Sequence, residues 1–264
     1  MQHFPRHSEI LTLLRSQGRL EVDELSGHFG VSAQTIRKDL ETLARQHHLV
    51  RFHGGAMLPS GVDNLEYEER RQIAVAEKEA IGRAVAALIP ENASLFINVG
   101  TTTEAVGRHL QSHRKLMVIA DNVNVANRLR VFPQIEVIIA GGVVRASDGA
   151  IVGEAAVDFL RQFKVDFAII GVSAIDSDGS LLDFDFREVK VVQAIMENAR
   201  QVILAADSSK FERTAPMRIA NLRDVHVFVT DRCADPAIRQ LCEESRVQLI
   251  ETGGEDDRPG AVAD

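Results

Sequence analysis

The chain has 264 residues, a length that favours two domains or one large α/β domain carrying a smaller appendage. Its hydrophobic content of 45% and charged content of 26% are those of a globular protein, and they exclude collagen-like, coiled-coil and wholly disordered chains. The apolar stretches are shorter than the roughly 18 residues of a membrane-spanning helix, and the N-terminus lacks the apolar region of a signal peptide. The sequence therefore predicts a cytoplasmic protein, and its two separated cysteines exclude a disulfide framework.

The charge is divided unevenly along the chain. The net charge of −8 argues against a protein that coats nucleic acid along its whole length. Residues 1–57 contain seven Lys or Arg and six Asp or Glu, a net charge of +1, whereas residues 58–264 contain 23 and 32, a net charge of −9. The change falls at the turn-rich stretch Leu58-Pro59-Ser60-Gly61-Val62-Asp63-Asn64. We therefore predict an N-terminal domain over 1–57, a linker over 58–73, a larger domain over 74–252 and a disordered polar tail over 253–264.

Three short helices are predicted in the N-terminal domain. Apolar residues recur at helical spacing over 6–16, and acidic residues begin a second helix over 23–29, with Gly30 after its end. A short extended piece over 20–22 lies between these two helices. Ser32 is a good N-cap for a third helix from Ala33 to about residue 47. This series, with a tight turn before the third helix, indicates a helix-turn-helix.

The outward face of the third helix predicts DNA recognition. At about 100° per residue, Ile36, Leu40 and Leu43 cluster on one side and leave polar and basic residues on the other. A β-wing follows at 49–55, with side chains placed to contact backbone phosphate. Gln, Arg, Thr and Lys are residue types that contact base edges and phosphates in DNA complexes. The predicted DNA-contacting residues are Gln34, Thr35, Arg37, Lys38, Arg51 and His53.

Two other interpretations of this domain remain open. One is a solvated helix followed by an ordinary hairpin, and the other is a protein-interaction adaptor that uses the N-terminal bundle. The ordered series of helices, cap and wing favours DNA recognition over both. An adaptor would not need the basic surface formed by Arg37, Lys38 and Arg51.

Strands and helices alternate in the larger domain. A helix is predicted over 74–89, and near-continuous apolar strands are predicted at 95–99, 116–120, 137–140, 167–172, 202–206, 225–230 and 248–251. Such strands between helices indicate a parallel sheet covered on both faces. In such folds, ligands bind at the carboxyl ends of the strands.

The exit of the first of these strands suits an anion. In Asn98-Val99-Gly100-Thr101-Thr102-Thr103-Glu104 the glycine allows close backbone approach, and the N–H groups at the start of a helix add donors. The nucleotide-binding motifs Gly-x-Gly-x-x-Gly and Gly-x-x-x-x-Gly-Lys-Ser/Thr are absent. An ordinary N-cap turn is the alternative. Adding residues from two more strand exits and one helix, the predicted effector-binding set is Gly100, Thr101, Thr102, Thr103, Gly141, Gly142, Lys190, Asp207, Ser208 and Lys210.

Both parts of the chain resemble the DeoR family of bacterial repressors. The N-terminal resemblance lies in Val31-Ser32-x-x-Thr35-Ile36-Arg37-Lys38-Asp39-Leu40-Glu41-x-Leu43 and in Arg51-x-His53-Gly54-Gly55-Ala56. Further similar stretches are Phe96-Ile97-Asn98-Val99-Gly100-Thr101-Thr102, Asn122-x-Asn124-Val125-Ala126-Asn127, Ala140-Gly141-Gly142, Ile175-Asp176-Ser177-Asp178-Gly179-Ser180-Leu181-Leu182 and Ser208-Ser209-Lys210-Phe211. The chain departs from the family's usual residues at Lys38, commonly Arg, and at Ala120-Asp121, commonly Thr-Asn.

The resemblance implies both a fold and a function. The implied fold is a parallel-sheet α/β effector domain, similar to sugar-phosphate isomerases, with a small N-terminal winged helix-turn-helix domain. The implied function is a homo-oligomeric repressor of glycerol or sugar-phosphate metabolism that leaves a palindromic operator when a phosphorylated effector, glycerol 3-phosphate, binds. Another sugar phosphate is the alternative effector, and dimer and tetramer both remain open. The additional carboxylate of Asp121 would disfavour an anion.

An isomerase-like enzyme is the competing class of function. Such chemistry needs a base beside the substrate carbon, and this chain has Asn98 where the family often has Asp. Gly171-Val172-Ser173-Ala174-Ile175 is not a nucleophile elbow, and neither His-Glu-x-x-His nor paired metal-ligand spacing occurs. The sequence therefore favours binding without turnover and predicts no catalytic residue, cofactor or metal.

Overall fold

The computed structural model describes residues 5–17, 19–45, 48–52, 54–57 and 65–253. His53, residues 58–64 of the predicted linker and residues 254–264 of the predicted tail lie outside the described residues. Among the residues that the structure describes, no helix combines the length and the apolar character needed to cross a membrane.

The N-terminal part forms three helices and a small antiparallel sheet of strand order β1-β3-β2. The predicted helices and wing are confirmed, with the β2–β3 hairpin as the wing. The predicted extended piece over 20–22 ends one residue earlier, because Glu21 is the N-cap of the second helix, and its N–H donates to the Glu24 carboxylate at 3.4 Å. The elements are α1 (Pro5–Gln17), β1 (Arg19–Glu21), α2 (Val22–Phe29), α3 (Ala33–Arg45), β2 (Val50–Phe52) and β3 (Gly55–Met57).

One apolar core holds these elements together. Ile10 and Leu14 of α1 pack with Leu25 of α2 and with Ile36 and Leu40 of α3, and all five are buried. Burial of side chains of this size stabilises the fold by about 1.5–3 kcal/mol each. The apolar side of α3 is therefore committed to the core, which leaves its other side to solvent.

A polar contact also fixes α3 against α1. The buried Asp39 carboxylate accepts a hydrogen bond from Arg6 Nε at 2.6 Å and lies 3.1 Å from His7 Nε2. Burial opposes the ionisation of Asp39, but Arg6 and His7 outweigh it and hold the pKa of this carboxyl below its ordinary value. The contact sets the orientation of α3 without using its exposed side chains.

Seven strands of the larger part form a parallel sheet in the order β15-β14-β12-β9-β4-β5-β6. Each corresponds to one predicted apolar segment, so the predicted parallel sheet is confirmed. The strands are β4 (Ser94–Ile97), β5 (Leu116–Ala120), β6 (Ile135–Ile139), β9 (Val165–Ile170), β12 (Ala199–Ala205), β14 (Val227–Thr230) and β15 (Gln248–Glu251).

Helices cover both faces of this sheet. Because successive strand side chains point to opposite faces, Leu95 packs in one core with Ile81 of α5, whereas Phe96 packs in the other with Val192 of α9. The predicted helix over 74–89 is confirmed as α5. The helices are α4 (Tyr67–Gln72), α5 (Val75–Leu88), α6 (Thr101–His109), α7 (Val123–Leu129), α8 (Glu154–Leu160), α9 (Phe186–Glu197) and α10 (Pro236–Ser245).

Short elements outside the main sheet were not predicted. Strands of two to five residues carry too short a hydrophobic pattern to identify from sequence. β7 (Val143–Val144) pairs with β8 (Ile151–Val152), and a second small sheet contains β10 (Ala174–Ile175), β11 (Ser180–Asp183) and β13 (Met217–Asn221). Two 3₁₀ turns span Ser208–Glu212 and Leu222–Asp224.

The strand order places a topological switch between β4 and β9. From β4 the chain proceeds through β5 to β6, whereas β9 pairs with the other side of β4 and leads on to β12, β14 and β15. The connections that leave β4 and β9 therefore diverge and open a crevice at the carboxyl ends of these strands. Gly100 and Gly171 lie at this crevice.

Candidate functional site

The third helix presents most of the predicted contact residues to solvent. Gln34, Arg37 and Lys38 are exposed, and within the described residues their side chains enter no hydrogen bond or ion pair. Thr35 is half-buried, and its Oγ1 lies 2.9 Å from Ser32 Oγ, which also accepts the Thr35 N–H at 3.2 Å. The predicted N-cap is thus confirmed, and Thr35 takes part in it.

The wing adds a further basic surface. Arg51 is exposed on β2, opposite Ala56 of β3. A Cβ atom at Gly55 would lie 2.2 Å from Leu20 O, so β3 packs closely on β1 only with glycine there. The Arg19 guanidinium lies 4.1 Å from the centre of the Phe52 ring and adds a cation that the sequence did not predict.

A cavity occupies the crevice between β4 and β9. Its lining includes Gly100, Thr101 and Thr102 at the exit of β4, Gly171 at the exit of β9, and Lys210 of the Ser208–Glu212 turn. The structure thus brings together predicted residues that are far apart in the sequence. The loop after β9 joins them because β9 is the neighbour of β4.

Backbone geometry at Gly100 opens the first turn of α6. Its φ of 153° favours glycine, and a Cβ atom there would lie 3.2 Å from Thr103 Oγ1. Thr103 Oγ1 lies 2.6 Å from Asn98 O and 2.9 Å from Gly100 O, so the Thr103 hydroxyl holds the loop. The N–H groups at the start of this nine-residue helix, together with the positive end of the helix dipole, favour an anion in the cavity.

Lys210 is a buried cation at this cavity. Only 8% of the residue is exposed, and within the described residues its Nζ enters no hydrogen bond or ion pair. Burial lowers the pKa of Lys210 to about 7; Asp207 opposes this shift, and the positive charges of Arg213, Lys78 and Arg70 add to it. Burying a charge without a partner is costly, so an anion in the cavity would relieve the cost.

Sequence reasoning missed three cations around Lys210. Arg70 lay in the predicted linker, and Lys78 and Arg213 occupy a helix and a loop, where a solvated side chain is the default. The Lys78 Nζ donates to the backbone carbonyls of Arg70 and of Ile73, the latter at 2.7 Å, and so ties the end of α4 to α5. No spacing in the sequence connects these positions.

A second cavity, of about 190 Å³, adjoins the first and is rich in carboxylates. The two cavities share Arg70, Asp183 and Glu188. Arg145 donates to Asp148 Oδ2 at 2.7 Å and to the Glu188 carboxylate. Burial raises the pKa of Glu188 to about 8, and the charge of Asp183 adds to this shift while Arg145 opposes it. Within the described residues, Lys210 lines only the first cavity, whereas Arg145, Asp148 and Asp185 line only the second, where carboxylates outnumber cations.

As far as the described residues show, six of the ten predicted effector contacts line neither cavity: Thr103, Gly141, Gly142, Lys190, Asp207 and Ser208. The Lys190 side chain is 57% exposed, and its Nζ lies 3.8 Å from Glu154 Oε1. The reason is helical phase, since Glu188 and Val191 on the same helix face inward and position 190 turns outward. Gly141 and Gly142 are both exposed after β6.

Asp207 and Ser208 shape the turn that carries Lys210. Ser208 Oγ donates to Asp231 Oδ2 at 2.8 Å, and the Ser208 N–H donates to Asp231 Oδ1 at 2.6 Å. Burial opposes the ionisation of Asp207, but Lys210 and Lys78 outweigh it and lower the pKa of this carboxyl. Asp207 therefore stabilises the charge of Lys210, and Ser208 fixes the turn that carries it, although neither residue lines the cavity within the described residues.

Asn98 links the strand exits that form the floor of the crevice. Its Oδ1 accepts the Gly171 N–H at 3.0 Å, and its Nδ2 donates to Asp121 Oδ2 at 3.4 Å. Burial raises the pKa of Asp121 to about 7, with Asn98 opposing the shift. Within the described residues, Asp121 lines neither cavity, so the unusual carboxylate supports the floor without meeting a ligand directly.

A basic helix on a winged domain, joined to an α/β domain with an anion-suited crevice, defines a DNA-binding regulator that senses a small molecule. Two family models match the chain: a DeoR-like helix-turn-helix domain over residues 6–62 and a DeoR C terminal sensor domain over residues 73–232. The chain therefore belongs to the DeoR family, as its motifs predicted.

Curated relatives match nearly the whole chain. The glycerol-3-phosphate regulon repressor of Escherichia coli (strain K12) is 45% identical over 249 residues, which cover 94% of this chain and 99% of that protein. The repressor of the same name from Haemophilus influenzae is 44% identical over 254 residues, 96% of this chain and 99% of that one. These relatives are named as transcriptional repressors and not as enzymes, and on that finding the enzyme alternative is set aside.

Solved structures align with part of this chain at low sequence identity. Ribose 5-phosphate isomerase A from Methanocaldococcus jannaschii aligns with a TM-score of 0.40 at 13% identity, over 52% of this chain and 55% of that one. A likeness of this size transfers no property of that enzyme to this chain.

Proposed function

We propose that this protein represses transcription and leaves its operator when a phosphorylated small molecule, glycerol 3-phosphate, binds in the crevice between β4 and β9. The observation that carries the proposal is the buried Lys210, which shares its cavity with Arg70 and with the start of α6. A phosphomonoester is close to a dianion at pH 7 and accepts charge-assisted hydrogen bonds from such groups. The extensive similarity to glycerol-3-phosphate regulon repressors supports this choice of effector.

The phosphate would lie against the N–H groups and hydroxyls of Gly100, Thr101 and Thr102, with Lys210 and Arg70 supplying positive charge. Local groups must provide the attraction, because residues 58–264 carry a net charge of −9. Lys190, Gly141 and Gly142 have no part in this arrangement.

One contact from the crevice reaches the DNA-binding domain, and another fixes α4 against the sensor domain. Arg70 lies on α4, soon after the segment that leads from that domain, and its Nη2 donates to Asp148 Oδ2 at 3.3 Å. Glu212, on the same turn as Lys210, lies 2.8 Å from His48 Nδ1. A phosphate that draws Arg70 and Lys210 toward itself would move α4 and this turn. Operator release follows when the effector binds the DNA-incompetent arrangement more tightly.

The DNA-binding role extends to the wing and to the assembly. Gln34, Thr35, Arg37 and Lys38 would enter the major groove, with Arg51 and His53 on the backbone. We propose a homo-oligomer formed through the sensor domain, because two DNA-binding domains related by a two-fold axis bind a palindromic operator. The protein would act in the cytoplasm, with the domain boundaries given above: 1–57, 58–73, 74–252 and 253–264.

An operator-binding titration with a panel of phosphorylated three- to six-carbon polyols and sugars tests this function. Lys210→Ala and Thr102→Ala should bind operator normally but no longer release it with glycerol 3-phosphate. Lys190→Ala is the matched control, because this lysine is exposed and, within the described residues, lines neither cavity, and it should release like the wild type. Wild-type release by Lys210→Ala and Thr102→Ala, or consumption of the phosphate ester, would contradict the proposal.

A further inference from the structure

The two adjoining cavities form one elongated site with unlike ends. The first contains the phosphate-suited groups around Gly100 and Lys210, and the second is the carboxylate-rich cavity of about 190 Å³. Arg70, Asp183 and Glu188 line both, so a ligand held by its phosphate at Lys210 and at the start of α6 lies close to these two carboxyl groups.

The carboxylates of the second cavity exceed its cations. Arg145 is shared among three of them: it donates to Asp148 at 2.7 Å, to Asp185 at 3.0 Å and to Glu188. Within the described residues no ion pair reaches Asp183, whose carboxylate is buried. Asp183 and Glu188 form a wall of this cavity, and its negative charge is therefore only partly compensated.

Asp183 is held in place by neutral donors. Ser173 Oγ donates to Asp183 Oδ2 at 3.0 Å, and the Phe184 N–H donates to Asp183 Oδ1 at 2.6 Å. A carboxylate oxygen has two lone pairs, so each retains the capacity to accept one more hydrogen bond. Burial raises the pKa of Asp183 and that of Glu188, and the charge of Asp183 adds to the shift of Glu188.

We propose that this wall selects the effector by charge: it accepts the hydroxyls of a phosphorylated polyol or neutral sugar and rejects a phosphorylated carboxylic acid. The inference rests on the proposed function, since the phosphate must first be placed at Lys210. Hydroxyl groups donate to carboxylates, whereas a ligand carboxylate would add a further negative charge to a buried site that already lacks cations. Like-charge juxtaposition in such sites is strongly unfavourable.

Glycerol 3-phosphate and 3-phosphoglycerate provide a matched pair of ligands. They share the phosphate, the three-carbon chain and the central hydroxyl, and they differ only in a terminal alcohol or carboxylate. Binding of each is measured by calorimetry on the full-length protein at pH 7.5, with inorganic phosphate as a competitor for the phosphate end. The wild type should bind 3-phosphoglycerate at least about 100-fold more weakly than glycerol 3-phosphate.

Asp183→Asn keeps the shape of Asp183 and removes its charge; its amide oxygen can still accept the Phe184 N–H, and its amide nitrogen would donate to Ser173 Oγ, which reverses the present bond. This variant should reduce the ratio of the two affinities at least about tenfold, chiefly because it binds 3-phosphoglycerate more strongly than the wild type does. Glu188→Gln provides a second test at the same wall when the pair of esters is compared at pH 8.5, where Glu188, with a pKa of about 8, is mostly ionised. Lys190→Ala should leave the difference in affinity unchanged. An unfolding midpoint in urea close to that of the wild type verifies that each variant is folded.

The possible outcomes separate this inference from the function on which it rests. Equal wild-type affinity for the two esters, with both lost in Lys210→Ala, would overturn the selectivity and leave the phosphate site standing. An unchanged difference in both Asp183→Asn and Glu188→Gln would likewise overturn the role of the wall. Absence of binding for either ester and for inorganic phosphate would overturn the proposed function itself.

Discussion

Raising the pH from 7.0 to 8.5 should weaken effector binding through the loss of charge on Lys210. Burial lowers the pKa of Lys210 to about 7, so in the free protein this amine is about half charged at pH 7.0 and about 3% charged at pH 8.5. The phosphomonoester remains a dianion over this range, because its second pKa is near 6. In the complex the bound dianion keeps Lys210 protonated, so the free protein must take up a proton when the effector binds. Between pH 7.0 and 8.5 the free-energy cost of this protonation rises by about 1.6 kcal/mol, which lowers the affinity about 15-fold.

Calorimetry with glycerol 3-phosphate at constant ionic strength measures this change, and the heat in buffers of different ionisation enthalpy reports the proton taken up. Lys210→Arg is the informative variant, because a guanidinium stays charged throughout and should flatten the profile. Ionisation of Glu188, whose pKa is about 8, would also disfavour an anion over this range, and Glu188→Gln separates that contribution. Flat wild-type affinity, or an equally steep loss in Lys210→Arg, would refute the reasoning.

Three further predictions concern the DNA-binding domain and the assembly. Asp39→Ala removes the acceptor for Arg6 and His7 and should destabilise that domain by about 1–3 kcal/mol in urea unfolding; an unchanged midpoint would show that the contact is not needed. Arg37→Ala should cost about 1–3 kcal/mol of operator binding and leave effector affinity intact, with Arg45→Ala near the end of the same helix for comparison; undiminished binding would remove α3 from the interface. Sedimentation should show an oligomer, and a monomer that binds one half-site tightly would argue against paired recognition.

The elements of this fold follow from local patterns. Each of the seven apolar segments became a strand of the parallel sheet, because a strand buried on both faces needs apolar side chains at nearly every position. Ser32 and the periodic Ile36, Leu40 and Leu43 likewise specified α3 and its exposed side, since a cap and a helical period involve residues within a few positions of one another. Gly100 could likewise be predicted to line the crevice, because the glycine and the helix start that follows it are close together in the sequence.

The composition of the effector site depends on packing between distant segments. Arg70 looked like part of a linker, yet α4 folds against the sheet and brings it to Lys210, while Asp183 and Glu188 arrive from β11 and α9. Lys190 shows the converse, because one step along α9 from Val189 turns its charge to solvent. Strand order and helix phase set these neighbours, and both arise from the burial of whole faces of the domain. A short stretch of sequence therefore does not predict which charged side chains become neighbours at the topological switch between β4 and β9.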